Sequence, residues 1–243
     1  MISYLYNIIV FKPLYNGLIF IFDVIPWIDA GFSVILFTII VRLILFPLSK
    51  KATITQVRMK EIEPELNELK RTITDKQQQA LKVMELYKKK GVNPFSSFLL
   101  LLLQLPIIWA LYSIFMNSGL PNVKPELLYS FISIPTIDMS FLGIFDIAKS
   151  NIFLAICAAI AQYLQLHFSL AASNVKVNAN SDNPSIDMAQ NMMKNMKYIF
   201  PVMVFFISYK ISAVVAIYWT ISSLFTLGQE IVVRRHIKNH EPL

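Results

Sequence analysis

The stretches without charge constrain this chain more than anything it carries. No Asp, Glu, Lys or Arg occurs between Lys90 and Lys124, between Lys149 and Lys176, or between Lys210 and Glu230. A soluble domain usually carries about 25 % charged residues; here the share is 15 %, with 56 % hydrophobic residues and a mean hydropathy of +0.56. Roughly 20 helical residues, each rising about 1.5 Å, cross a hydrocarbon core. Because the backbone finds no water there, it must satisfy its own polar groups, and a helix does so within one segment. The sequence therefore predicts an all-α integral membrane protein.

Five transmembrane helices are predicted: 31–48, 93–117, 151–172, and a hairpin of two short helices around Lys210 within 198–233. Basic residues orient them. Eleven Lys and Arg fall in 49–92, three (Lys176, Lys194, Lys197) in 173–197, and three (Arg234, Arg235, Lys238) in 234–243. The opposite side has Lys12, Lys124, Lys149 and Lys210. The positive-inside rule makes the richer side cytoplasmic, so the N-terminus is expected outside and the C-terminus inside. On this reading 118–150 is an extracytoplasmic loop, 173–197 a cytoplasmic loop and 234–243 a basic cytoplasmic tail. Residues 1–30 are apolar but interrupted by Lys12, Pro13, Asp23 and Pro26, which fits an interfacial helix on the outer surface better than a sixth span. No basic stretch precedes Lys12, so no cleavable signal peptide is expected.

The hydrophilic segment 49–92 predicts a cytoplasmic helical hairpin. Ile54, Val57, Ile62, Leu66, Leu69 and Ile73 recur at helical spacing in its first arm, which Pro64 should kink. Leu81, Met84 and Tyr87 would share a face of the second. Asp75 is a candidate cap and Gly91 a candidate stop. The single cysteine, Cys157, excludes a disulfide framework, and His167, His236 and His240 have no zinc-binding spacing. No metal or other cofactor is expected.

One residue breaks the apolar logic. Arg42 lies inside a predicted span, where a guanidinium costs about 2.5–3.5 kcal/mol on insertion scales. Two readings fit. The side chain could snorkel toward the boundary at Lys50, about 12 Å of helix away. Alternatively it faces a hydrated pocket, since no carboxylate occurs in another span before Glu230, whereas uncharged polar groups do: Thr38, Gln104, and Gln162 with Gln165, three apart on one face. Each amide taken alone is better explained as interhelical glue, worth roughly 0.6 kcal/mol. An intramembrane protease is disfavoured by the absence of G-x-S-G, G-x-G-D or any aspartate in the spans. A solute transporter is disfavoured by the lack of glycine-rich broken helices. There is no Walker A loop.

Four blocks carry a family resemblance: "GFSVILFTIIVRLILFPLSKKAT"; "MKEIEPELNELK" followed by "ELYKKKGVNPFSSFLLLLLQLPIIWALY"; "YLQLHFSL"; and "MKYIFPVMVFFISYKISAVVAIYWTISSLFTLGQEIVVRR". The pattern Q-x-P-I-x-x-A-L-Y, from Gln104 to Tyr112, is especially specific. In order and spacing these blocks resemble the YidC/Oxa/Alb family of membrane protein insertases, in its short form without a large periplasmic domain. The resemblance implies a non-enzymatic insertase of the bacterial plasma membrane. Its five helices would enclose a hydrophilic groove open to cytoplasm and lipid, with a mobile hairpin over the entrance. The family's groove arginine falls on Arg42, its neighbouring threonine on Thr38, its third-span glutamine on Gln165, and its substrate-contacting aromatic pair on Tyr218 and Trp219. Gln104 and Gln162 complete the expected groove set. Implied partners are nascent membrane proteins and the lipid bilayer, with the ribosome and a Sec translocon or targeting factors beside them. Ribosome contact would fall on the hairpin, the 173–197 loop, Arg234, Arg235 and Lys238. One departure is "KISAVVAIYW", which stands where the family has Pro-x-Gly-Leu before the aromatic pair, so the outer turn is expected to differ.

Overall fold

The computed structural model describes residues 2–92, 96–117, 120–171 and 184–240. It is almost wholly helical, apart from two paired strands of two residues each. The chain starts with α1 (Ile2–Tyr6), a π turn (Asn7–Phe11) and α2 (Lys12–Val24). Lys12 and Pro13, which interrupt the apolar run in sequence, do not interrupt the helix. The ring of Pro13 would press on the carbonyl of Ile9, four residues back, and the wider π turn absorbs that clash. Phe11, Tyr15, Leu18, Ile19 and Phe22 form one buried stripe at helical spacing.

A short turn leads to α3 (Ala30–Ile44), which Asp29 caps by accepting the Phe32 N–H at 2.8 Å. The helix expected over 31–48 is not straight. It stops at Ile44, and α4 (Phe46–Glu61) leaves at 64°. Pro47 explains the break: it lacks an N–H for the Leu43 carbonyl and is tolerated only in the first turn of a new helix. A second break at Ile62, next to Pro64, separates α4 from α5 (Glu63–Thr72). Asp75 caps α6 (Lys76–Lys89) by accepting the Gln77 N–H at 2.8 Å, and Gly91 ends it with φ +63°. Lys90 Nζ lies 2.5 Å from Glu65, tying the far end of α6 to the start of α5. Leu86 is the buried residue of α6, whereas Leu81 and Met84 are exposed, so the packed stripe is rotated from the one periodicity suggested.

Next come α7 (Ser96–Tyr112), which continues as a π turn (Ser113–Asn117), α8 (Ile152–Ala171), α9 (Pro184–Ile211) and α10 (Ala213–His240). The last two are not the short hairpin expected. Each has 28 residues, and α9 is helical from Pro184, inside the segment expected to be a loop. Asn93 and Pro94 of the "VNP" block, and residues 172–183 with Lys176, lie outside the described residues. Among those described, Tyr4–Val24 and Ile152–Ser169 are long and apolar enough to cross a membrane, and the bent pair α3–α4 makes a third. Gln104–Phe115 is apolar but shorter. Tyr4–Val24 thus passes a test of length and composition that the expected surface role did not require.

The segment between α7 and α8 closes one end of the bundle. Ile132, Ile137 and Ile147 are buried in the main core with residues of α2, α3, α7 and α10. Strands β1 (Ser140–Phe141) and β2 (Phe145–Asp146) pair antiparallel, and Phe141 seats on Gly31, where a Cβ would come within 2.2 Å of its ring. Buried Asn16 holds the same segment. Its Nδ2 donates to the Lys12 and Leu127 carbonyls (2.8 and 2.9 Å), and its Oδ1 accepts the Tyr129 N–H at 2.7 Å. Asn16→Leu strands the Leu127 and Tyr129 groups without partners. It should cost about 2–4 kcal/mol, read as a lower unfolding midpoint in detergent, while Asn122→Leu in the exposed loop should leave the midpoint unchanged.

Candidate functional site

Helix α10 organises the site because it packs against α3, α4, α7, α8 and α9 at once. Every residue from Ser212 to Trp219 is buried. A helix end enclosed in this way still has orphan N–H groups to satisfy. Two are met by backbone, with Ala213 N–H donating to the Lys149 carbonyl (2.8 Å) and Val214 N–H to that of Ile147 (3.2 Å). Further along, Tyr218 and Trp219 are adjacent and so point to different neighbours. Residues four positions on repeat each direction, giving Tyr218 with Ser222 and Trp219 with Ser223.

The first direction holds the arginine. Arg42 of α3 donates through Nη2 to Gln104 Oε1 of α7 at 2.8 Å, and the same nitrogen bonds Ser222 Oγ of α10. Gln104 Nε2 donates to Tyr218 Oη at 2.7 Å and approaches Ser222 Oγ at 3.3 Å. A guanidinium can only donate, which fixes the Gln104 carbonyl toward Arg42 and its amide toward Tyr218. Arg42 is half-buried, and among the described residues it forms no ion pair. Glu230, the carboxylate that the sequence places in another span, is engaged elsewhere: it accepts from Ser169 Oγ at 2.8 Å and lies 3.7 Å from Arg234.

The second direction gathers the third-span glutamines. Gln162 Oε1 accepts from Trp219 Nε1 at 2.8 Å and from Ser223 Oγ at 3.1 Å, and Gln162 Nε2 donates to Gln165 Oε1 at 2.7 Å. Gln162 is buried and Gln165 half-buried. Six of the seven residues expected from sequence thus form two networks on two sides of α10. Arg42, Gln104 and Tyr218 belong to one, Gln162, Gln165 and Trp219 to the other. Thr38 joins neither: it is fully buried and donates to the Val34 carbonyl of its own helix at 2.6 Å.

Sequence reasoning missed Ser222 and Ser223. The available signal was their four-residue offset from the aromatic pair. It also missed Ser49 of α4, whose hydroxyl meets the Gln229 side chain in a buried bond joining α4 to α10. No side chain in either network pairs a nucleophile with a base. What the first network offers is a fixed cation held only by neutral groups. Gln104→Leu removes both the acceptor for Arg42 and the donor for Tyr218. It should lower stability by about 1–3 kcal/mol in a detergent melt, and Gln104→Asn, with the same groups on a shorter stem, should recover little of it.

Known proteins match most of the chain. The family model described as 60Kd inner membrane protein matches residues 20–240. The chain is 34 % identical over 217 residues to the membrane protein insertase YidC of Clostridium tetani, covering 88 % of this chain and 86 % of that one. It is 31 % identical over 208 residues to the membrane protein insertase YidC of Fusobacterium nucleatum, covering 85 % and 87 %. Among solved structures, an active YidC insertase crystal structure with its first transmembrane domain resolved superposes with a TM-score of 0.57. That match is 24 % identical and covers 90 % of this chain but 45 % of the other, so it speaks for the fold alone. By the family model and by these relatives, the chain belongs to the 60Kd inner membrane protein family, the YidC-type family of membrane protein insertases.

Proposed function

We propose that this protein inserts nascent membrane proteins by drawing a short hydrophilic flank past Arg42 while the attached hydrophobic helix passes into lipid. The observation that carries this reading is a half-buried guanidinium whose partners, Gln104 and Ser222, are both neutral. Among the described residues its charge is uncompensated, and a carboxylate arriving at ~4 Å would gain about 4 kcal/mol at an effective dielectric near 20. Gln104, Tyr218 and Ser222 stand in for water around that charge. Release is driven by burial of the client helix, where each Leu, Ile, Phe or Val gains about 0.3–0.6 kcal/mol. The protein lowers a barrier and carries out no covalent chemistry.

On this proposal the chain is a five-span bundle with N-terminus outside and C-terminus in the cytoplasm. Helices α4–α6 form the cytoplasmic hairpin, and the first 30 residues pack at the outer side. Tyr218 and Trp219 meet the client helix, and Gln162, Gln165 and Thr38 support the groove wall. The ribosome, with a Sec translocon or targeting factor, delivers clients to the basic side.

A second reading has its own observation: Arg42 lies in the last turn of α3, where a cation complements the helix dipole. Insertion separates the two. A single-span client with an acidic N-terminal flank, and its neutral-flank counterpart, are offered to proteoliposomes. Arg42→Ala should abolish insertion of the acidic client and spare the neutral one, and Arg42→Lys should restore it. Gln104→Glu keeps the arginine but supplies an internal counter-charge, so it should depress acidic-client insertion as well. Equal insertion by wild type, Arg42→Ala and Gln104→Glu would leave the arginine as a helix-end anchor only.

A further inference from the structure

The turn between β1 and β2 carries apolar side chains where a loop in water carries polar ones. Leu142 is 53 % exposed and Ile144 76 % exposed, and Trp27 in the neighbouring α2–α3 turn is 84 % exposed. Leu142 also adopts a left-handed backbone conformation (φ 57°), which Asn, Asp or Gly takes with less strain. A leucine at such a position is costly, and more than half of it is left uncovered.

The seat of this turn indicates what does. Asp29, just before α3, accepts the Leu142 N–H on Oδ2 at 2.9 Å, beside the turn that bears Trp27. The Phe141 ring lies over Gly31 and meets Phe32 edge-on, with centroids 5.5 Å apart. Phe32 begins the outward stripe of α3, followed at helical spacing by Ile40, Leu43 and Ile44, all exposed. An apolar stripe left exposed on a helix of the bent pair α3–α4, long and apolar enough to cross a membrane, suits lipid rather than water. The turn therefore stands at the end of a lipid-facing surface and extends it past the helix terminus. Polarity returns immediately behind it, where Asp146 and Lys149 form an ion pair at 2.9 Å with Lys149 mostly exposed. An apolar tip with an indole beside it and charges behind is the arrangement that suits the boundary between acyl chains and headgroups.

We infer that the β1–β2 turn, through Leu142 and Ile144 with Trp27 beside it, is an anchor embedded in the bilayer interface at the end of the bundle away from α4–α6. The occupant is lipid of the same bilayer, because the patch continues a lipid-facing stripe. It holds the α2–α3 junction, and with it the outer end of α3, at a fixed depth. This inference rests on membership in a membrane family and not on the role assigned to Arg42.

The test uses the full chain with Cys157→Ser, which removes its only cysteine. Leu142→Cys and Ile144→Cys, with Asn122→Cys as a control in the same segment, are labelled with an environment-sensitive fluorophore and reconstituted into phosphatidylcholine–phosphatidylglycerol vesicles. The labels at 142 and 144 should emit to the blue of the label at 122. They should lose most of their intensity to a nitroxide near the headgroup, and little to aqueous iodide. Bromine-labelled lipid gives a second reading without touching the turn: the wild type should show a quenched tryptophan component that Trp27→Phe removes. Labels at 142 and 144 as open to iodide as the one at 122 would overturn the anchor. Labels shielded from both quenchers would also overturn it, since that pattern marks a second protein.

Discussion

A helix enclosed by other helices must find its hydrogen bonds within the protein, and α10 lives under that constraint from Ala213 to Trp219 and again at Ser222, Ser223, Gln229 and Glu230. Leaving one buried polar group unpaired costs more than a formed bond returns. Its start is therefore closed by the Lys149 and Ile147 carbonyls, its middle by Gln104 and Gln162, and its later turns by Ser49 and Ser169. These partners come from the segment before α8, from α7, from α8 and from α4. The positions of α3, α4, α7 and α8 are in this sense answers to what α10 presents. The arginine belongs to the same economy: it completes the polar set at Gln104 and Ser222, yet brings a charge that the set does not cancel.

The two sides of α10 differ in what they leave over. On the Trp219 side, the indole and a serine both donate to one carbonyl of Gln162, and the amide of that residue passes on to Gln165, so donors and acceptors balance among neutral groups. On the Tyr218 side, Gln104 and Ser222 engage one nitrogen of the guanidinium, and a full positive charge is left in partial contact with the surroundings. A balanced neutral network rigidifies a helix contact. A network around an uncancelled charge also creates an electric field. The first side reads as scaffold, and the second as the place where something negative is drawn.

Much of this was legible in the sequence, because the strongest signals were physical extremes. Long uncharged runs announce membrane helices, and a lone arginine within one announces a polar neighbourhood. Gln104 was identified as a member of that neighbourhood, and the Arg42–Gln104 bond is present. Periodicity failed where two apolar stripes were available on one helix. On α6 it favoured Leu81 and Met84, but Leu86 is the residue that packs, since nothing in a single helix says which stripe finds a partner. It also grouped Thr38 and Gln165 with Arg42. A residue four positions from another shares its side of the helix, but a small hydroxyl can turn back to its own carbonyl, as Thr38 does. The bend at Leu45 had its cause in plain view at Pro47, yet apolarity alone read through it.

Because Ser222 and Ser223 are neighbours in sequence but serve different sides of α10, the helix has no freedom in its numbering. One residue inserted or removed between Val214 and Tyr218 would turn everything after it by about 100°. Ser222 would leave Arg42, Ser223 would leave Gln162, and Gln229 would lose Ser49. No local repair could compensate, because the fastenings at both ends of the helix are made by different parts of the chain. Length variation is thus forbidden along this stretch, however freely residue types vary on its surface, and across related chains its spacing should outlast its composition.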